Sequence, residues 1–220
     1  MTRLINETSM NKEPEKTFLQ RRDDFADQHN KYRIKYNRIS WVRIIMFLLF
    51  GGVILLLLSR EMTEIGLFVV LLFIPLFLVI VKWHERTGSM RNFYILLSEI
   101  NNEELQRLDH QFQDLDPGIE FAREEHPYAI DLDIFGRNSI FQLLNRTETA
   151  DGRQTLARWL LSKAEKNEVL VRQSAVQELA KELDFRQKLQ ASGRLSKGKK
   201  TDLKPLLEWL QAPVRYLHNH

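Results

Sequence analysis

Residues 39–83 constrain this chain more than any other stretch. Two apolar runs, ISWVRIIMFLLFGGVILLLLS at 39–59 and IGLFVVLLFIPLFLVIVKW at 65–83, stand back to back with a short polar turn between them. As helices rising about 1.5 Å per residue, each is roughly 28–32 Å long, the thickness of a bilayer's hydrocarbon core. Neither run has a polar face at helical spacing, so an amphipathic soluble helix is a poor description. A buried helical pair would need a thick apolar jacket, and nothing else in the 220 residues can supply one. The expected structure is a transmembrane helical hairpin that reverses at 59–64.

The flanking charges orient it. Lys31, Arg33, Lys35, Arg38 and Arg43 precede or enter the first run with no acidic residue among them. Lys82, Arg86 and Arg91 follow the second, against Glu85 alone. An excess of Lys and Arg on both outer flanks implies an inner or plasma membrane location with both termini cytoplasmic and a short external turn around 60–64. Trp41 and Trp83 fall where interfacial aromatics belong, and Arg43 can snorkel back to the headgroups. Pro75 is expected to kink the second helix.

The overall charge, +3 with pI near 9.1, is too mild to indicate nucleic acid by itself. Its distribution is uneven: 99–133 is acidic and 186–204 basic. The absence of cysteine excludes disulfides and thiolate metal sites. The first thirty residues have no apolar core of a signal peptide, so the first run would act as an uncleaved anchor.

The chain divides accordingly. Residues 1–38 form a cytosolic tail, polar and without order up to Pro14, then a charged helix with Phe18, Phe25, Tyr32 and Tyr36 as its packing stripe. After the 39–83 hairpin, 84–125 reads as a polar helix from about 86 to 113 and an acidic linker, stopped at Asp116-Pro117-Gly118. The two polar helices are expected to form an antiparallel stalk. Residues 126–220 read as a small helical domain with at most a short β-hairpin, its strand at 129–135 (AIDLDIF). Ser139 is expected to cap a helix over 140–145, Thr149 another over 150–162, and Asn167 a third over 168–183. A fourth is expected from Asp184 to a stop near Gly193, and a last over 203–211. Leu156, Trp159, Leu160 and Leu161 should face inward from the second helix, and Val169, Leu170, Val176 and Leu179 from the third. The fold class is mainly α.

Two blocks in that domain carry a resemblance. FQLLNRTETADGRQTLARWLL at 141–161 and VRQSAVQEL at 171–179 resemble the start of the core, or lever, domain of the MutS mismatch-repair family. The family pattern is a short Leu-rich helix, Arg-Thr, Thr, Gly and a helix with Leu-x-x-Trp-Leu, then Arg-Gln-x-Ala-Val-x-x-Leu. Here these positions are Arg146, Thr147, Thr149, Gly152, Leu156, Trp159, Arg172 and Gln173. Order and spacing agree over roughly 130–190. The resemblance implies a lever scaffold that relays motion between a DNA clamp and an ATPase, so it brings over no catalytic residue. Physically, Gly152 would permit close approach, Trp159 and the leucines would fill a core, and Arg146 with Thr147 would tie a turn to a helix end.

The departures define the rest of the expectation. No G-x-x-x-x-G-K-[ST] phosphate loop occurs, nor the family's Phe-x-Glu mismatch reader, and the hairpin occupies the place of the reader's domain. The chain reads as the amino-terminal part of a membrane-anchored MutS-like protein, its ATPase truncated from this chain or lost. ATP and Mg²⁺ are implied only for that ATPase module, and no cofactor is expected in this chain. Membrane lipid is the expected partner. The resemblance adds duplex DNA and a homodimer, and a membrane adaptor docking an unidentified protein without DNA is the alternative.

Arg194, Lys197, Lys199 and Lys200 are the candidate phosphate or DNA contacts, because clustered cations supply the salt-dependent part of nucleic-acid binding. The same loop suits anionic lipid, or plain solvent. Neither His126 beside two glutamates nor His218 and His220 has the spacing of a zinc site, and no metal is expected. Asp131 and Asp133 would share a strand face and are read as solvated.

Overall fold

The computed structural model describes residues 2–196, apart from 112, 124 and 125, with side chains from Glu13 onward. Two long helices dominate it: α1 (Thr2–Ser59) and α2 (Thr63–Leu108). They reverse where the polar break stands in the sequence. There the amides of Arg60, Glu61 and Met62 turn back to the carbonyls of Leu57 and Leu58, with Glu61 left-handed at φ 57°. Inside the hairpin Phe50 stacks on Phe73 at 3.7 Å, and Phe73 lies 5.5 Å from Phe77. Most other apolar side chains have no protein over them; Leu48, Leu55, Leu67, Phe68 and Leu71 are each at least 67% exposed. Both helices are long and apolar enough to cross a membrane.

The polar helices are continuations of the apolar ones. α1 is already helical from Thr2, against the expected loose tail, and runs on through Pro14. Proline there removes one N–H and crowds the carbonyl four residues back, at a cost of about 3 kcal/mol. α2 likewise does not restart near 86. It passes Gly88 because the ring of Tyr36 packs there, 3.0 Å from where a Cβ would stand. The antiparallel stalk is present: Tyr32 stacks on Tyr94 at 5.2 Å, and Ser98 Oγ donates to the Arg22 carbonyl at 2.9 Å.

α2 ends at Leu108, before the expected Asp-Pro-Gly stop. His110 adopts a left-handed conformation (φ 55°), and the amides of His110 and Gln111 bond the carbonyls of Arg107 and Gln106. That is a Schellman closure with histidine in the position glycine usually takes. Beyond it lie turns and one 3-10 turn, Ile119–Phe121.

No strand occurs among the described residues, so the expected one at 129–135 is not formed. The segment folds on itself instead: Leu132, Asp133 and Ile134 donate to the carbonyls of Tyr128, Ile130 and Ala129, and Asp133 is left-handed at φ 47°. Only Ala129 and Ile134 are buried, while Ile130 and Leu132 are exposed. With no partner strand, successive turns satisfy the backbone locally. The local core is Phe141, fully buried and in contact with Phe121 and Phe135. Gly118 sits against its face at φ 60°, where a Cβ would come within 2.6 Å of the ring.

Four helices complete the described chain: α3 (Ile140–Leu144), α4 (Ala150–Leu161), α5 (Lys166–Lys181) and α6 (Leu183–Ser196). Two caps are as expected, with Ser139 Oγ accepting from Gln142 N and Thr149 Oγ1 from Gly152 N. α5 starts one residue before Asn167, after Glu165 and without a side-chain cap. Its Val169, Leu170, Val176 and Leu179 are exposed, not inward. α6 continues past Gly193, whose missing side chain admits Glu148, 2.8 Å from a notional Cβ. The expected helix over 203–211 lies outside the described residues.

Gly118→Ala meets both a left-handed backbone and the Phe141 ring. It should lower hydrogen-exchange protection of α3 and the 117–122 segment by at least about 2 kcal/mol. Phe141→Ala should cost about 3–5 kcal/mol in the same measurement.

Candidate functional site

The turn between α3 and α4, residues 145–149, is where the helical module meets the stalk. Asn145 shapes it, its Oδ1 accepting from both the amide (2.9 Å) and the hydroxyl (2.7 Å) of Thr147. Arg146 ties the turn to a helix end as expected, donating to the Leu143 and Leu144 carbonyls at 3.0 and 3.1 Å. The same guanidinium forks onto Glu104 of α2, with both contacts at 2.8 Å.

Two more arginines complete a joint. Arg107 of α2 is buried; it donates to the Asn145 carbonyl at 2.9 Å and pairs with Glu104 at 3.2 Å. Arg194 of α6 places its guanidinium between Glu103 of α2 and Glu148 of the turn, each at 2.7 Å. Three arginines and three glutamates thus join stalk, turn and last described helix, and fork-on-carboxylate geometry fixes direction as well as distance. Burial opposes the charge on Arg194, but hydrogen bonds and charge from Glu103 and Glu148 outweigh it and raise its pKa above the ordinary value. For Arg107 burial dominates and lowers the pKa against the pull of Glu104.

Below the joint α6 packs on the stalk through a neutral lock. Asn101 and Gln187, both buried, exchange amide hydrogen bonds at 2.8 and 3.2 Å, beside Leu97, Ile100 and Ala191. Arg21 Nε from α1 donates to Gln187 Oε1 at 3.0 Å, and its other nitrogen meets Asp184 at 2.5 Å. A cleft of about 610 Å³ lies alongside, between α6 and the 146–152 turn, with Phe18, Ile100 and Leu189 on its walls. On the far side of the turn Arg153 pairs with Asp116 at 2.7 Å and with Glu120.

The residues singled out in the sequence fall into three groups. Arg146, Thr147, Gly152 and Arg194 come together at the joint, where Gly152 admits the Thr147 and Thr149 side chains. Arg194, read as a phosphate contact, is engaged by two carboxylates instead. Leu156 is partly buried, but Trp159 is 49% exposed and does not fill a core; the Arg172 guanidinium lies 3.9 Å over its ring and also meets Glu168. Gln173 is exposed. Lys197, Lys199 and Lys200 lie outside the described residues. The sequence reading missed Glu103, Glu104, Arg107 and Glu148, although the i, i+3 and i, i+4 spacing of the first three was a signal of paired charge on one helix face. His126, weighed as a metal ligand, has Nε2 2.9 Å from the carbonyl of Leu161 at the end of α4. Among the described residues no group of three or more His, Asp or Glu is placed to hold a metal.

Comparison with known proteins brought no match: no family model fits the chain, and no curated protein or solved structure is significantly similar to it.

Arg194→Gln leaves two carboxylates facing each other and should loosen α6 by about 2–4 kcal/mol, read as lost exchange protection in α6 and the 145–149 turn. Acid should act on the lower lock. The hydrogen bond and charge of Arg21 hold Asp184 below the usual carboxylate range. A folded pKa below the unfolded one means stability present above about pH 4 and lost as pH falls through the lower folded value. Asp184→Asn should remove that acid dependence of α6 protection and lower its neutral-pH protection to the level the parent reaches in acid.

Proposed function

We propose that this chain is a membrane-anchored MutS-like protein, the scaffold or lever part of a DNA-linked ATPase. The observation carrying the reading is the joint at 145–149. The positions that carry the resemblance, Arg146, Thr147 and Gly152, form a capped turn that three arginine–glutamate contacts key into the stalk. The stalk is continuous with the two apolar helices, so a displacement of the module about this turn is passed to the anchor as one rigid movement. In this reading the hairpin spans an inner or plasma membrane, both arms lie in the cytoplasm and the turn at 60–64 lies outside. The chain itself performs no catalysis. Nucleotide and Mg²⁺ belong to an ATPase module whose phosphate loop is not in this sequence, and a second copy would pair as the family does.

A second reading is favoured by two observations. α5 leaves Leu170, Val171 and Val176 exposed, and Arg194 is occupied by carboxylates. Both suit a membrane-tethered adaptor that docks a protein partner and binds no DNA.

Salt-dependent binding of the full chain in nanodiscs to homoduplex and mismatched DNA separates the two. The lever reading expects binding that weakens steeply with salt and disappears in the Lys197/Lys199/Lys200→Glu variant. No binding at low salt would leave the adaptor.

A further inference from the structure

The arginines at the joint and its neighbour Arg153 all meet carboxylates, whereas the cations at the other end of the stalk meet none. Segments 31–43 of α1 and 82–91 of α2 hold eight Lys and Arg against one carboxylate, Glu85. Among the described residues none of the eight forms an ion pair. The fold brings the two segments to one level. The Tyr36 ring lies 4.0 Å from His84, the Arg91 guanidinium 4.4 Å from Tyr36, and Lys35 Nζ 5.4 Å from Trp83. His84 is 8% exposed, its Nε2 has no hydrogen-bond partner, and the charges of Arg43 and Arg91 both act on it.

This collar begins where the apolar runs end, with Trp41 and Trp83 half-exposed or more at the same level. At that depth it offers guanidinium and ammonium donors in quantity and almost no acceptor. We propose that the collar binds the phosphate headgroups of anionic phospholipids, a reading that rests on the hairpin spanning a bilayer. A phosphodiester oxygen accepts charge-assisted bonds from arginine and lysine. A zwitterionic lipid presents the same phosphate but adds an ammonium, and a single carboxylate among eight cations leaves that ammonium without a counterpart. Anionic lipid is therefore selected over zwitterionic lipid.

The test uses the full chain with Trp159→Phe and Trp209→Phe, so that fluorescence comes from Trp41 and Trp83 at the collar. It is reconstituted in vesicles of phosphatidylcholine and phosphatidylglycerol in which either lipid is brominated. Brominated phosphatidylglycerol should quench more per mole fraction than brominated phosphatidylcholine, by a factor of about two or more, and the preference should shrink as salt rises. Arg38→Gln/Lys82→Gln/Arg86→Gln, three side chains with no ion pair to lose, should bring the ratio towards one. Equal quenching by the two lipids in the parent protein overturns the inference, as does a preference that survives high salt and the triple variant. Alkaline extraction of the same vesicles separates the underlying reading. Protein that stays embedded yet shows no preference refutes lipid selection alone, whereas protein that is extracted refutes the spanning hairpin and the inference with it.

Discussion

Among the described residues the apolar surface of the hairpin has only itself to pack against, and the rest of the fold is arranged around that fact. Each large apolar side chain left in water rather than buried forfeits about 1.5–3 kcal/mol, and leucines, isoleucines, valines and phenylalanines line both helices on every side. The Phe50–Phe73–Phe77 stack covers one seam and nothing more. Helical backbones with all internal hydrogen bonds made are the form in which such side chains can face hydrocarbon. The described chain's other apolar clusters, around Leu97, Ile100 and Ala191 and around Phe141, lie away from the hairpin in sequence and cover other segments.

Distance from the apolar end changes the kind of interaction that holds the helices together. Next to the hairpin the contacts are aromatic, Tyr36 on His84 and Tyr32 on Tyr94. Further along they become buried amides, Asn101 and Gln187, whose two mutual hydrogen bonds set the register of α6 on α2. At the end stand the arginine forks. Removing one member of such a fork leaves an uncompensated charge, so the joint tolerates the loss of a partner less well than leucine packing would.

Local chemistry was legible in the sequence, and long-range pairing was not. Ser139 and Thr149 announce helix starts because their side chains satisfy the first free amides, and both do so. The hairpin and stalk followed from run length and from the spacing of Phe18, Phe25, Tyr32 and Tyr36. The strand at 129–135 failed because alternation specifies a strand only when another strand is beside it, and here turns took the backbone bonds. The end of α2 was hidden by a histidine in a glycine's place, and Gly193 was misread as a stop because the side chain that needs its space, Glu148, is far away in sequence. The joint itself links residues 42 to 91 apart, Glu104 to Arg146 and Glu103 to Arg194. Charge composition reveals that such residues exist, not which of them meet. The exposed Trp159 and α5 face depart from the inward packing that the apolar pattern of both helices led one to expect.

We propose that the hairpin crosses a membrane with both arms on the cytoplasmic side. The chain has no cysteine, so single cysteines introduced at Glu61, Lys16 and Lys163 can be read without background in intact cells with a membrane-impermeant maleimide. With that topology the position 61 variant labels in intact cells, and those at 16 and 163 label only after the membrane is permeabilised. Labelling at 16 or 163 in intact cells, or protection at 61 until permeabilisation, would contradict it.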